Sequence, residues 1–92
     1  MNTSLHERVL ALHRHYNQVA ELQQAIPSTR PRHGKYADQE KRIMDKAREV
    51  MRAAQQLPVV GTGYASEVDN IVEGCRIMQF DPYKKLGGIR RV

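Results

Sequence analysis

Ninety-two residues are enough for one small domain, which can bury a core but only part of its surface. A single cysteine, Cys75, excludes an internal disulfide framework, and no apolar run approaches the ~18 residues needed to cross a membrane. The formal net charge of +5 suits nucleic acid or another acidic partner, or equally a solvated surface that keeps a small protein soluble.

The first residues, Met1 to Glu7, carry charge too early for the apolar core of a signal peptide. Together with the lone cysteine this points to a protein of the reducing cytosol. A first helix is expected over about 5–26. Ser4 and Glu7 have the spacing of a capping box, in which each residue satisfies a free backbone N–H of the other. Leu5, Val9, Leu12, Tyr16, Val19 and Ile26 fall on one stripe with alternating steps of four and three, and Gln23 fills the remaining step. Leu10 and Leu22 widen it. Pro27 ends the helix, because a residue before proline avoids α conformation.

Residues 27–36 read as a loop. Pro27, Pro31 and Gly34 break any helix there, and Arg30, Arg32 and Lys35 carry three positive charges with no acid among them. A second helix is expected over about 38–57, with Asp38 as N-cap and Ile43, Ala47, Val50, Ala54 and Leu57 as its apolar stripe. Its other face offers Asp38–Arg42 and Lys41–Asp45 at i, i+4 spacing, each worth ~0.2–0.5 kcal/mol when exposed. Residues 58–65 form a connector around Gly61 and Gly63. Val59-Val60 is long enough only for a very short strand, and Gly61-Thr62-Gly63 falls short of a phosphate-binding fingerprint.

A third helix is expected over about 66–79. Ser66 and Asp69 have capping-box spacing, and Val68, Ile71, Val72, Cys75 and Met78 share a face. The tail, 80–92, carries Lys84, Lys85, Arg90 and Arg91 on either side of a Gly87-Gly88 hinge. Seven of the fifteen basic residues thus fall in the loop and the tail. The expected architecture is all-α in a single domain: an antiparallel two-helix hairpin, closed by a third, shorter helix, with a basic loop and a basic tail.

Catalytic chemistry finds little support. His13 and His15 lie about 200° apart on a helix, and His6 and His13 are about 10 Å apart along it, so neither pair matches a zinc site. Cys75 sits on an apolar face with no evident base to activate it. No carboxylate pair stands out. The expectation is a binding protein with no catalytic residue, metal, cofactor or small-molecule substrate. Met44, Met51 and Met78 read as core filling. Tyr36 closes the basic loop and Tyr83 opens the basic tail. Aromatic rings beside cations hold single-stranded nucleic acid by stacking and phosphate contact; the alternative is that Tyr36 packs beneath the loop and Tyr83 caps the third helix.

Taken whole, the chain resembles small phage-encoded anti-CRISPR proteins that inhibit the type I-F CRISPR surveillance complex. The likeness runs from Met1-Asn2-Thr3-Ser4-Leu5-His6-Glu7-Arg8, through Arg30-Pro31-Arg32-His33-Gly34-Lys35, to Gly87-Gly88-Ile89-Arg90-Arg91-Val92. It rests on overall sequence and size, not on a short motif. The resemblance implies a stoichiometric inhibitor in the host bacterial cytoplasm, acting on a ribonucleoprotein of repeated backbone subunits threaded by guide RNA. A basic chain is a poor mimic of DNA, so the implied contacts are with guide RNA and the subunits flanking it. Covering part of the guide stops pairing with target DNA. The expected contact residues are Arg30, Arg32, His33, Lys35, Tyr36, Tyr83, Lys84, Lys85, Arg90 and Arg91. Two other readings share the same residues: a small basic phage DNA-binding or regulatory protein, and a helical assembly adaptor whose charge only aids solubility.

Overall fold

Ser4 sets the first helix boundary. Its backbone is extended, and its hydroxyl accepts a hydrogen bond from the Glu7 N–H at 3.2 Å. Helix α1 then runs Leu5–Gln24. It stops two residues short of the expected end, because the Ala25 and Ile26 N–H groups turn back to the Leu22 and Gln23 carbonyls in a tightened last turn. In the computed structural model, which describes residues 4–85, α1 is followed by a single 3-10 turn, Arg32–Gly34, and by helices α2 (Ala37–Gln55) and α3 (Ala65–Phe80). The architecture is all-α, with no strand among the described residues.

Two expected caps are corrected. Tyr36, not Asp38, is the N-cap of α2, and it offers no side-chain hydrogen bond. Asp38 and Glu40 lie in the first turn, where negative charge still complements the helix dipole. Likewise α3 starts at Ala65, so Ser66 sits inside the helix and the Ser66–Asp69 box does not form. The cause lies upstream. The Thr62 hydroxyl donates to the Val59 carbonyl at 2.6 Å and accepts from the Tyr64 N–H at 3.2 Å. The Thr62 carbonyl then takes the Ala65 N–H, and the chain is wound into α3 before Ser66 is reached. The turn from Val59 to Thr62 needs Gly61, whose φ of 79° is in the region that disfavours other residues. Val59-Val60 is therefore part of a turn, with Val59 buried and Val60 exposed.

The apolar stripes meet in one core cluster. Val9, Leu12, Tyr16 and Val19 come from α1, Ile43, Ala47, Val50 and Ala54 from α2, and Val68, Ile71, Cys75 and Met78 from α3. Packing is most extensive between α2 and α3 and least between α1 and α3. Gly74 makes the α1–α3 approach possible. A Cβ there would overlap the Tyr16 hydroxyl and stand 3.0 Å from Cζ of the same ring. Of the two expected charge pairs on α2, Lys41–Asp45 forms at 3.2 Å, while Asp38 and Arg42 make no ion pair among the described residues. Met78 is buried, Met51 packs on the core edge and Met44 is half-buried. No helix among the described residues is long and apolar enough to cross a membrane.

Burial pushes the Cys75 thiol up from 9.0 to about 12 and the Tyr16 phenol up from 10.0 to about 12, the latter with a smaller contribution from Cys75. The unfolded chain gives up these protons first as pH rises. The folded state then binds more protons, and its stability falls through the window from about 9 to about 12. A urea midpoint followed across that window should drop. The drop should be shallower in a Tyr16→Phe, Cys75→Ala variant; a midpoint that stays level in the parent chain would refute the assignment.

Candidate functional site

The two basic segments meet at one end of the helices, through contacts between residues about sixty positions apart. Gln23 is the pivot. It stands on the buried stripe of α1, and its side-chain amide donates to the Pro82 and Lys84 carbonyls, both at 2.9 Å. This clamps the segment after α3 onto the last turn of α1. Lys85 completes the clamp. Its ammonium donates to the Gln23 carbonyl and, at 2.8 Å, to the Ile26 carbonyl. Helix α1 has no basic residue in its own last turn, so a cation from the other end of the chain supplies the positive charge that complements the C-terminal end of its dipole. Partial burial pulls the Lys85 ammonium below its usual pKa, a desolvation cost that the two carbonyls offset.

On the other side of this segment, Glu40 in the first turn of α2 binds both loop and tail. Its carboxylate accepts from the Tyr83 hydroxyl at 2.8 Å and pairs with the Arg30 guanidinium at 3.4 Å. The same guanidinium lies 5.3 Å from the centre of the Tyr83 ring, within cation–π range. Burial, and then the hydrogen bond to Glu40, push the Tyr83 phenol above its usual value. Arg30, Glu40 and Tyr83 thus form one unit in which each member touches the other two.

These contacts sort the expected contact residues. Arg30 is held by Glu40 and Tyr83, although its side chain stays 61% exposed. Tyr83 is buried, so its ring is a seat for Arg30 and not an open stacking surface. It also does not cap α3, whose C-cap is Asp81. Tyr36 is half-buried against the core, with the Lys35 ammonium 5.6 Å from its ring centre, which is the packing alternative. Lys85 is committed to the end of α1. Arg90 and Arg91 lie outside the described residues. Arg32, His33, Lys35 and Lys84 remain, all exposed. None of the four makes a side-chain ion pair or hydrogen bond among the described residues. His33 and Gly34 take φ values of 72° and 61°, a left-handed turn between Arg32 and Lys35.

Two residues escaped sequence reasoning. Gln23 had a signal, a polar residue at a core register. Glu40 had none, since a first-turn glutamate reads simply as complementing the helix dipole. His13 is buried and hydrogen-bonded, with Nε2 3.3 Å from a Glu67 carboxylate oxygen and Nδ1 without a partner among the described residues. This pair joins α1 to α3 and lies apart from the basic end. A shallow groove of about 210 Å3 between α1 and α2 holds His15, Lys46 and Glu49 beside Leu12, Val50 and Ala53, with no hydroxyl or thiol nucleophile among them.

Replacing Gln23 with Ala removes the donor that two carbonyls share. Such a loss typically costs about 1–3 kcal/mol, and here it also frees the segment bearing Lys84. The variant should lose stability of that order, and trypsin should cut after Lys84 and Lys85 faster than in the parent chain. An unchanged cleavage rate would argue against the clamp. Comparison with protein-family models, with curated proteins and with solved structures finds no match, so the reading of the site rests on its geometry and on the sequence.

Proposed function

We propose that the chain is a stoichiometric inhibitor of a bacterial CRISPR–Cas surveillance complex, acting in the host bacterial cytoplasm. It binds the backbone subunits and guide RNA and blocks hybridisation of target DNA. Helices α1 and α2 are read as an antiparallel hairpin whose tip carries the basic loop, with α3 closing the open side and delivering the start of the tail to that tip. The supporting observation is the group of four exposed residues whose side chains make no ion pair or hydrogen bond among the described residues, Arg32, His33, Lys35 and Lys84, beside a clamp that holds loop and tail together. Exposed cations that are in no internal ion pair are available to phosphates or acidic side chains at little internal cost. The function needs no chemistry, only occupancy of the guide.

The test is to mix the chain with purified type I-F surveillance complex and follow both co-migration and target-DNA binding. Co-migration at a fixed ratio with loss of target binding is the expected result. If neither occurs, the proposal fails. Tight, salt-sensitive binding to free duplex DNA without effect on the complex would instead make the chain a phage DNA-binding or regulatory protein.

A further inference from the structure

The only phenylalanine of the chain is on the outside. Phe80 is the last residue of α3 and is 91% exposed. Every tyrosine is packed by comparison: Tyr16 and Tyr83 are buried, and Tyr36 and Tyr64 lie half-buried against the core. A phenylalanine left in water forgoes the stabilisation that burial would bring, so its position contributes nothing to the fold.

Its surroundings are unusual for a protein-binding anchor. The other large exposed apolar residue among those described is Val60, which precedes the start of α3. Helix α3 has 16 residues, a rise of about 22 Å, so Val60 and Phe80 cannot belong to one patch. Protein interfaces bury a cluster of apolar side chains at their centre and keep charge to the rim. Phe80 instead stands apart from Val60, with acidic Asp81 next to it in the chain. It lies four residues before Lys84 and three before Tyr83, whose ring carries Arg30. Three extended residues span at most about 11 Å, so Phe80 is tied to the basic end described above.

We propose that Phe80 stacks against a base of single-stranded nucleic acid whose phosphates lie along Arg32, Lys35 and Lys84. The inference rests on the reading of this end as the contact surface and names what it takes. An exposed aromatic ring with basic side chains a few residues away can grip a single strand, with the ring on a base face and the charges on the backbone. A duplex is a poor fit, because its base faces are already covered by their neighbours in the stack. Phe80 thus takes the role that the sequence suggested for Tyr83.

The test uses the full chain and two fluorescein-labelled probes: a single-stranded RNA of mixed sequence and an abasic strand of equal length. Phe80→Ala should weaken binding to the first by about tenfold and leave the second unchanged, while Phe80→Trp retains binding to both. Arg32→Ala should weaken both alike. Thermal melting of Phe80→Ala should match the parent chain. The proposal is overturned if Phe80→Ala binds RNA normally, if it weakens both probes equally, or if its melting temperature falls. It is also overturned if the parent chain ignores the bases or does not bind the free strand. Co-migration with the surveillance complex is scored separately. An inhibitor unaffected by Phe80→Ala sinks this inference alone, and strand binding without co-migration sinks only the inhibitor reading.

Discussion

An Ile71→Ala variant is expected to be less stable than the parent chain by about 2–5 kcal/mol, the usual range for removing a buried isoleucine's branches. Ile71 is fully buried on α3, and α3 makes its most extensive contacts with α2. The cavity opens in the core cluster to which all three helices contribute. The neighbours of Ile71 one turn away on the same face are stiff or small. Val68 is held by its branched Cβ, Cys75 is too short to fill the space, and both are buried. Domains of this size are stable by about 0.05–0.15 kcal/mol per residue, so the loss is a large share of the total. A urea titration reads it as a lower midpoint at constant slope. Val72→Ala, on the half-buried edge of the same helix, should cost clearly less. Equal midpoints for Ile71→Ala and the parent chain would mean that the α2–α3 packing is wrong.

The second large effect is on binding. In an Arg32→Ala, Lys35→Ala, Lys84→Ala variant, the dependence of log affinity for single-stranded nucleic acid on log salt should become shallower by about 2, since each phosphate contact on a single strand contributes about 0.7 to the slope. All three side chains are exposed, so the fold should survive their truncation, as surface substitutions rarely shift stability by more than about 0.5 kcal/mol each. Arg52→Ala, an exposed position in the last turn of α2, is the control and should leave the slope alone. If the triple variant keeps the parent slope, the exposed cations do not touch phosphate and the basic end has another use. Lys85→Ala should behave differently from all of these. Removing it takes one donor from each of the Gln23 and Ile26 carbonyls, so it acts on the last turn of α1 before it acts on a partner.

The helices were legible because their signals are local. A stripe that repeats every three or four residues specifies a face wherever the helix is packed, and Val9, Leu12, Tyr16, Val19, Ile43, Ala47, Val50, Ala54, Val68, Ile71, Cys75 and Met78 are all buried on such faces. Ser4 was legible as a cap for the same reason, since its partner is three residues away. Ser66 and Asp38 carry comparable side chains but are not caps. Which residue leaves helical geometry first depends on how the preceding turn enters, and at α3 the Thr62 hydroxyl decides that.

Charge was legible as a quantity and not as a disposition. Composition and order determined an all-helical chain with positive charge concentrated before α2 and after α3. Tertiary structure alone decided which cations face outward. Lys84 and Lys85 are neighbours of identical type, yet only Lys85 reaches the carbonyls that end α1. Arg30 and Arg32 differ by two positions, yet only Arg30 meets the Glu40 carboxylate. The physical reason is distance along the chain. The carbonyls that Lys85 satisfies lie 62 and 59 residues before it, and Glu40 lies 43 residues from Tyr83. Helix packing brings them together, and no local pattern of residues records it.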